Sequence, residues 1–355
     1  MSGCRSHFAE AVIAWQHYHG RHDLPWQIDP SPYRVWVSEV MLQQTQVTTV
    51  VPYFQRFMAR FPDIPSLAEA SPDALLGLWA GLGYYARARH LHQAAGIVAK
   101  QWDGQLPVHL EQLTALPGIG RSTAGAILSL GMEQSAPILD GNVKRVLCRV
   151  FAIEGWPGQG PVQQRLWRLA TRLTPALEAR RYNQGMMDLG SLVCTRTTPR
   201  CGECPVKRIC RACRLGTQTR YPMARPRRPR PVREAWFLLI RHTCRGVLLR
   251  RRSPRGVWGG LWSLPECRDA SQLGDLCRQL TGHEPQGLDC LPVRIHDFTH
   301  YRLRFTVAIT VAQTSQIAED PDLQWFDPTS PPAGLPAPIA KLWQELFPYR
   351  LSEIP

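Results

Sequence analysis

The chain has 355 residues, a length that predicts two domains at about 100–200 residues per domain. Hydrophobic residues make up 44% of it and charged residues 20%, which excludes long disorder and predicts a sizeable core. No stretch approaches the roughly 18 apolar residues of a membrane-spanning helix. The net charge of +14 indicates a polyanionic partner, either nucleic acid or an anionic membrane surface.

The first twenty residues, MSGCRSHFAEAVIAWQHYHG, carry charges and histidines through their apolar stretch. This pattern predicts an amphipathic helix and not a secretory signal peptide. We therefore expect a cytoplasmic protein with no membrane partner.

Helical periodicity, with apolar residues three and four positions apart, runs from Pro32 to Cys194. Residues 207–233 then hold ten Lys or Arg, four prolines and no acid, which predicts an extended basic linker. Beyond it the period becomes two, so AWFLLIRH, GVLLRRR and the longer HDFTHYRLRFTVAITV are predicted strands. SQLGDLCRQLTG and PAPIAKLWQELF are predicted helices. We expect a mostly helical domain over residues 1–222, a linker over 223–233 and an α+β domain over 234–355.

A glycine-rich turn, LPGIGRSTA, separates two predicted helices over residues 116–124. Gly118 and Gly120 permit a tight turn whose backbone can approach a ligand closely. The N–H groups at the start of the second helix suit a phosphate. An ordinary helical hairpin is the alternative, but Pro-Gly-Ile-Gly in this setting favours a helix–hairpin–helix that binds the DNA backbone.

These motifs resemble the A/G-specific adenine DNA glycosylases of the helix–hairpin–helix superfamily. The resemblance runs through VWVSEVMLQQTQV, GLGYYARAR, ALPGIGRSTAGAI, ILDGNVKRV, NQGMMDLG and a cysteine cluster, and it continues into the C-terminal domain. It implies a multidomain fold, in which an all-α helix–hairpin–helix glycosylase domain with a [4Fe–4S] loop precedes an α+β Nudix-like domain. It also implies a monomeric base excision repair enzyme that acts on double-stranded DNA. The enzyme would flip out adenine mispaired with 8-oxoguanine or guanine and hydrolyse its N-glycosidic bond.

Two acids, Glu39 and Asp140, match the catalytic pair of this family. Breaking the glycosidic bond requires a protonated leaving base and a stabilised cationic sugar. Glu39 lies in an apolar predicted helix, where desolvation raises the pKa of a carboxyl and suits a proton donor. Asp140 precedes Gly141 and Asn142 and is predicted to cap a helix, where an ionised carboxylate is stable. The alternatives are an arginine partner role for Glu39 and a purely capping role for Asp140.

The residue two positions after Gly120 distinguishes monofunctional glycosylases from bifunctional glycosylase/lyases. Bifunctional relatives such as endonuclease III place a Schiff-base lysine there, whereas this chain has Ser122. Of its four lysines, Lys144 is the one near the site, and we expect it to bind a phosphate. The sequence therefore favours a monofunctional glycosylase over an endonuclease III-like glycosylase/lyase acting on oxidised pyrimidines. A non-catalytic lesion-binding protein is a third alternative, which the presence of both acids opposes.

The resemblance also assigns residues to the DNA and to the flipped base. It implies that the base pocket includes Leu24, Trp26 and Gln184, and that Gln44 and Thr45 read the 8-oxoguanine pair. Asn142, Gly118, Gly120 and Ser122 are further expected DNA or substrate contacts. Leu82 and Tyr84 match the wedge that enters the base stack. Core packing is the alternative for Leu82 and Tyr84, but their flanking glycines predict an exposed tip.

Five of the eleven cysteines lie between Cys194 and Cys213, a local clustering typical of a metal site and not of a disulfide framework. One set of four matches the [4Fe–4S] signature of the family, namely Cys194, Cys201, Cys204 and Cys210. The alternative is a zinc site formed by two C-x2-C pairs, namely Cys201, Cys204, Cys210 and Cys213. We expect one structural [4Fe–4S] cluster that holds a basic loop against DNA.

Residues 234–355 resemble the Nudix-like domain of these glycosylases, with WGGLWSLPE at its typical turn. The following helix lacks the glutamate cluster that holds Mg²⁺ in Nudix hydrolases, so we expect binding without hydrolysis. Phe298, Thr299 and His300 match the 8-oxoguanine-sensing loop, with Thr299 where serine is usual. A continuous strand here would place one set of polar residues on a single DNA-facing side: His296, His300, Arg302 and Arg304.

Overall fold

A computed structural model describes residues 2–226, 229–332 and 334–348. The chain divides into two compact units, one of Met1–Ala70 and Arg87–Arg227 and one of Ser71–Ala86 and Arg228–Pro355. The second unit thus takes in Ser71–Ala86, a segment of the predicted helical domain. Within that unit, the Asp73 carboxylate pairs with the Arg251 guanidinium at 2.8 Å.

The α-helices follow one another along the chain as the apolar periodicity predicts. In order they are α1 (Ser2–His19), α2 (Pro25–Ile28), α3 (Pro32–Leu42), α4 (Val47–Arg60), α5 (Ile64–Ala68), α6 (Pro72–Trp79), α7 (Ala86–Gln101), α8 (Leu110–Ala115), α9 (Arg121–Ala126), α10 (Gly141–Val150), α11 (Gly160–Leu173), α12 (Ala179–Asp188), α13 (Arg211–Arg214), α14 (Leu273–Thr281) and α15 (Ala337–Leu346). Single π-helical turns extend α9 over Ile127–Gly131 and α12 over Leu189–Val193. Within the described residues, no helix is both long enough and apolar enough to cross a bilayer.

The first unit is all-helical, and its core is built from the apolar faces of α1, α10, α11 and α12. Phe8 of α1 meets Tyr182 of α12 edge-to-face, with ring centroids 6.4 Å apart. Local signals place the helix ends. Pro32 occupies the first turn of α3, and the Ser31 hydroxyl accepts a hydrogen bond from the Arg34 N–H, as an N-cap does.

The helices α8 and α9 flank the glycine-rich turn as predicted. Gly118 has a φ of +76°, a backbone conformation that glycine adopts without steric cost. An added Cβ at this position would also lie 2.7 Å from the His90 Cβ. The turn is therefore restricted to glycine at Gly118 by both its conformation and its neighbour.

The prediction of an extended linker over 207–233 is wrong in its first half. That stretch forms short helical turns, at Lys207–Ile209, Arg211–Arg214 and Gln218–Arg220. The prolines begin only at Pro222, so nothing upstream prevents helical turns from closing. Residues 223–226, 229 and 230 are extended or irregular up to the first strand, while residues 227 and 228 lie outside the described part of the chain.

The second unit contains a mixed sheet with helices on both faces. Its strands are β1 (Val232–His242), β2 (Gly246–Arg251), β3 (Trp262–Ser263), β4 (Glu266–Cys267), β5 (Asp289–Cys290), β6 (Arg294–Asp297), β7 (Arg302–Val311) and β8 (Leu323–Phe326). The order is β3-β2-β1-β7-β5, with β4 beside β1, β6 beside β7 and β8 beside β2. The central β1 and β7 run parallel, and the other pairs are antiparallel.

Alternate residues of β1 enter two separate cores, as the two faces of a strand require. Phe237 and Leu239 pack with Ile339 and Trp343 of α15. Leu238 and Ile240 pack on the other face with residues of α14, including Leu273 and Leu280. The sheet is therefore covered on both sides, which confirms the predicted α+β character of this region.

The predicted single strand over HDFTHYRLRFTVAITV is wrong. The segment is a hairpin of β6 and β7, in which Asp297 pairs with Arg302. Residues 298–301 form the connecting loop, where the Phe298 N–H donates to the Tyr301 carbonyl at 2.9 Å. His300 therefore lies in the loop and does not share a strand face with His296, Arg302 and Arg304.

Candidate active site

A cavity of about 1170 Å³ opens in the first unit between α3, α12 and the segment that leads into α10. It brings together most of the residues predicted for the active site, which are separated by up to 160 positions between Leu24 and Gln184. Those that line it are Leu24, Trp26, Glu39, Gln44, Thr45, Ser122, Asp140, Asn142 and Gln184.

Glu39 lies near the end of α3, a helix whose other residues are largely buried. Burial, and secondarily the charge of the nearby Asp140, raises the pKa of Glu39 to about 8. The carboxyl is therefore protonated at neutral pH, as a general acid must be. No arginine forms an ion pair with Glu39 in the described parts of the chain, so the alternative of an arginine partner finds no support.

Asp140 caps α10, as predicted. Its carboxylate accepts a hydrogen bond from the Val143 N–H at 2.7 Å and one from the Asn142 side-chain amide at 2.9 Å. Burial raises the pKa of Asp140, and these hydrogen bonds together with the charge of Arg145 oppose that shift. The sequence predicts the capping position, which favours the ionised carboxylate. It does not show that this carboxyl group is also buried, and burial opposes ionisation.

Arg145 supports the Asp140 carboxylate through Asn142 and was not predicted. Its guanidinium donates to the Asn142 side-chain oxygen at 2.8 Å and to the Gly190 carbonyl at 2.6 Å. A third bond, 2.7 Å long, reaches the Cys194 carbonyl. Asn142 thus has a positioning role for Asp140 in addition to lining the cavity. The available signal was the spacing, since Asn142 and Arg145 lie two and five residues after Asp140.

Ser122 lies in the cavity but is engaged with the backbone. Its hydroxyl accepts a hydrogen bond from the Leu139 N–H at 3.1 Å. Leu139 directly precedes Asp140 in the chain. Gly125 lies one turn further along the same helix, and the Pro137 carbonyl approaches it closely. A Cβ atom added at Gly125 would lie 2.2 Å from the Pro137 carbonyl oxygen. Together Ser122 and Gly125 hold the segment 137–140 against α9.

Arg87, from the GLGYYARAR motif, fastens the C-terminal end of α3. It is buried, and one of its nitrogens donates to the carbonyls of Val40, Met41 and Gln43 at 2.6–2.8 Å. Such carbonyls have no partner within their own helix. A second nitrogen lies 3.3 Å from the Thr45 hydroxyl. Arg87 therefore positions both the helix that carries Glu39 and the turn that carries Thr45.

A buried ion pair positions Gln184. Asp188, which is fully buried, pairs with the Arg21 guanidinium at 2.6 Å, and the Gln184 amide donates to the same carboxylate at 3.1 Å. Neither Arg21 nor Asp188 was predicted. The signal was an acid in the buried stretch NQGMMDLG, four residues and thus one turn after Gln184.

Gln27 was also missed by the sequence analysis. It lines the cavity, and both of its amide atoms are buried without a hydrogen-bond partner among the described residues. A buried amide without partners is energetically costly, so such a group in a cavity is a natural contact for a ligand.

Leu82 and Tyr84 do not both form the predicted exposed tip. Tyr84 is 43% exposed, as expected, but Leu82 is only 5% exposed, so that part of the prediction is wrong. The turn is closed by hydrogen bonds from the Leu82 N–H to the Trp79 carbonyl and from the Trp79 indole to the Gly83 carbonyl. The apolar leucine side chain is thus buried, which is favourable in water.

The remaining predicted contacts lie outside the cavity. Lys144 is half-buried on α10, close enough to Cys148 to influence the pKa of that thiol. Gly118 and Gly120 lie in the hairpin. Phe298, Thr299 and His300 lie in the second unit, where Phe298 stacks on Tyr301 at 4.6 Å and the Thr299 hydroxyl is 3.4 Å from the His300 ring.

The clustered cysteines surround a second, small cavity in the first unit. All five of the predicted candidates line it, together with valines and a leucine: Cys194, Cys201, Cys204, Cys210 and Cys213. Within the described ranges, no three Cys, His, Asp or Glu side chains converge to hold one metal ion. A zinc ion needs four ligands at about 2.0–2.3 Å from a single point. In a [4Fe–4S] cluster each thiolate ligates a different iron, and four thiolates can also hold one zinc ion, so the sulfur-only donor set fits either group.

Comparison with known proteins identifies a family for each of two parts of the chain. The model of the HhH-GPD superfamily of base excision DNA repair proteins matches residues 37–172, and that of the NUDIX domain matches residues 235–345. A solved thermostable thymine-DNA glycosylase shares the fold, with a TM-score of 0.55 and 24% identity over 60% of this chain and 98% of its own. The fold and the two matched family models thus define a helix–hairpin–helix DNA glycosylase with a Nudix-like domain.

Sequence relatives make the assignment narrower. The chain is 35% identical to the adenine DNA glycosylase of Buchnera aphidicola subsp. Acyrthosiphon pisum (strain APS) over 338 residues, which is 94% of this chain and 96% of that protein. It is 45% identical to the human adenine DNA glycosylase over 214 residues, 58% of this chain and 39% of that protein. The chain belongs to the adenine DNA glycosylase family. The predicted family and enzyme class are therefore confirmed, as is the predicted order of a helical glycosylase domain and an α+β Nudix-like domain.

Proposed function

We propose that this enzyme excises adenine mispaired with 8-oxoguanine or guanine after flipping the adenine out of the duplex. The observation that carries the proposal is the pair of acids, Glu39 and Asp140, which face one cavity in a member of this glycosylase family. Extruding the base is the general way in which enzymes reach a target atom that the duplex encloses.

Glu39 and Asp140 have different roles in the proposed reaction. Glu39 donates its proton to a ring nitrogen of adenine while the bond between the base and C1′ breaks, and the bond electrons leave with the base. The Asp140 carboxylate stabilises the cationic sugar. A water molecule then adds its hydroxyl to C1′ and gives its proton to the Glu39 carboxylate. The products are free adenine and an abasic site.

The cavity walls suit a purine. Leu24 and Trp26 are buried and apolar, and the amides of Gln27 and Gln184 supply hydrogen-bond donors and acceptors for the base edge. Such a combination of apolar walls with a few polar groups is typical of ligand sites. We assign Gln44 and Thr45 to the opposite base, and the exposed Tyr84 to the gap that the flipped base leaves.

The test is a panel of duplexes with adenine opposite 8-oxoguanine, guanine or cytosine, and one duplex with thymine glycol. We expect adenine release from the first two and an abasic strand that breaks only after heat or alkali. Cleavage of the thymine glycol strand, with borohydride trapping of the enzyme, would instead support the endonuclease III-like alternative.

A lysine at Ser122 provides a gain-of-function test of monofunctional chemistry. We expect Ser122→Lys to acquire strand cleavage through a Schiff base, measured by borohydride trapping and by gel analysis without alkali. Ser122→Ala is the matched control, because both variants lose the hydrogen bond to the Leu139 N–H, worth about 1 kcal/mol. Strand cleavage without alkali by the wild type, at a level that Ser122→Lys does not exceed, would contradict the monofunctional assignment.

We also propose that Cys194, Cys201, Cys204 and Cys210 hold one [4Fe–4S] cluster. When bound, the cluster supplies covalent cross-links that hold the loop 194–213 in place. Arg149 supports Cys194 from α10, because its guanidinium lies 3.2 Å from the Cys194 sulfur and 2.7 Å from the Thr195 carbonyl.

Iron and acid-labile sulfide should therefore be present in equal amounts in the purified protein. We expect Cys204→Ser to lose both and Cys213→Ser to retain both, although the two thiols line the same cavity. Visible absorbance and metal analysis measure the outcome. Loss of the metal from Cys213→Ser, or zinc in place of iron, would support the alternative set of ligands.

The loop of the second unit provides the test of lesion preference. We expect Thr299→Val to reduce the preference for 8-oxoguanine over guanine opposite adenine, because one hydrogen-bond contact is worth about 1–3 kcal/mol of discrimination. Thr299→Ser is the matched control and should keep the preference. The measurement is the ratio of excision rates for the two mispairs at matched salt. A ratio that does not change in Thr299→Val would assign the reading of the lesion to the first unit.

A further inference from the structure

A second groove, of about 1000 Å³, lies in the first unit between α11 and the loop around α13. It shares no lining residue with the active-site cavity. Its floor is apolar and includes Phe151 and Leu169. Its rim carries five arginines: Arg165, Arg168, Arg172, Arg211 and Arg214.

These five arginines, referred to below as the arginine rim, are exposed and have no carboxylate partner in the described ranges. No acidic residue lines the groove. The guanidinium groups repel one another, and an anion bound between them would relieve that repulsion. The groove is therefore electrostatically suited to a ligand with several negative charges.

The spacing on α11 matches a linear polyanion. Arg165, Arg168 and Arg172 lie three and four residues apart, so they share one face of the helix. At about 1.5 Å per residue they extend over about 10 Å, which corresponds to about three nucleotides of a DNA strand at 3.4 Å each. A guanidinium group also matches the geometry of a phosphate.

The arginine rim is continuous with the helix–hairpin–helix. Arg121, the first residue of α9, lies over the Trp167 ring of α11 at 4.2 Å and contacts Thr171 of the same helix at 3.5 Å. An adjoining groove of about 830 Å³ is lined by Arg121, Trp167, Arg168 and Arg172. A basic surface therefore leads from the hairpin along α11, which favours nucleic acid over an acidic peptide.

We propose that the arginine rim binds the sugar–phosphate backbone of DNA outside the lesion site. The proposal rests on the proposed function in one respect, because it takes the substrate duplex as the ligand. The α11 arginines would bind phosphates beyond those that the hairpin binds and would act on long duplexes, without taking part in the excision step.

The test is a triple variant, Arg165→Gln/Arg168→Gln/Arg172→Gln, compared with the wild type in the full chain. Glutamine keeps the helix propensity of arginine, so α11 remains folded. Affinity for an undamaged duplex several helical turns long is measured across a range of salt concentrations. The slope of log affinity against log salt should become shallower by about 0.9 for each phosphate that is no longer neutralised, or about 2.7 for three. Single-turnover excision from a short lesion duplex should stay at the wild-type rate.

The matched control is Arg56→Gln/Arg60→Gln/Lys100→Gln, which removes three exposed positive charges from α4 and α7. An equal change of slope in this control, or no change in the triple variant, would overturn the proposal. So would loss of excision from the short duplex, because the rim would then not be separate from the active site. A polyglutamate peptide that binds wild type but not the triple variant, with an unchanged DNA slope, would assign the groove to an acidic protein. Should the wild type release no adenine while the slope still becomes shallower in the triple variant, the proposed function fails and the arginine rim stands.

Discussion

Replacing Glu39 by glutamine should lower single-turnover excision of adenine by about 10²–10⁴-fold, the usual contribution of general acid catalysis. Affinity for the mispaired duplex should stay close to that of the wild type. Glutamine has nearly the same shape as glutamate but has no acidic proton to give to the leaving base. Burial raises the pKa of Glu39 to about 8, so the wild-type residue holds that proton at neutral pH.

The pH dependence of the rate provides a second measurement of the same role. The active form of Glu39 is the protonated one, so the wild-type rate should fall as the pH rises through about 8. This limb of the profile should be missing from the residual rate of Glu39→Gln. Glu10→Gln makes the same substitution at an exposed residue of α1 and is the control, which should keep both the rate and this limb of the profile. Excision by Glu39→Gln at the wild-type rate would remove Glu39 from the mechanism.

Asp140→Asn should lower the excision rate by about 10²–10³-fold, the effect expected when one electrostatic interaction with a transition state is removed. Asparagine is as good an N-cap as aspartate, so α10 and the Val143 hydrogen bond should persist. The change therefore removes the negative charge opposite the sugar and the hydrogen bond from the Asn142 side-chain amide, while the cap itself remains. Single-turnover excision and the midpoint of thermal unfolding are measured on the same preparation.

The two roles of Asp140 predict opposite results. If Asp140 acts through its charge, the rate falls while the unfolding midpoint moves little. If Asp140 were only a cap, the rate would persist and any loss would be one of stability. A full rate in Asp140→Asn would therefore be evidence against the division of labour between the two acids.

Much of the site was predictable because its residues lie within local motifs. The apolar surroundings of Glu39, the capping position of Asp140 and the turn at Gly118 follow from neighbours within a few residues along the chain. Helix periodicity, capping and backbone conformation are short-range properties, and the structure agrees with the prediction at each of these three residues.

The predictions were wrong where the exposure of a side chain or the path of the chain depends on contacts beyond the local sequence. Flanking glycines predicted an exposed Leu82, but that side chain is buried while Tyr84 stays exposed. The alternating pattern of residues 296–311 predicted one strand, but the segment turns back on itself to pair β6 with β7. Alternation indicates strand conformation locally and does not show where the chain reverses.

The sequence by itself determined the family, the two acids proposed to be catalytic and the order of an all-helical and an α+β part, because each depends on residue types at short spacing. The tertiary structure decided the supports of the site, which are contacts between residues far apart in the chain. Arg87 holds the end of α3 over an interval of 44–47 residues, and Arg21 pairs with Asp188 over 167. Such pairs carry no local pattern, since the free energy that stabilises them comes from burial and from hydrogen bonds that form only when the helices pack together.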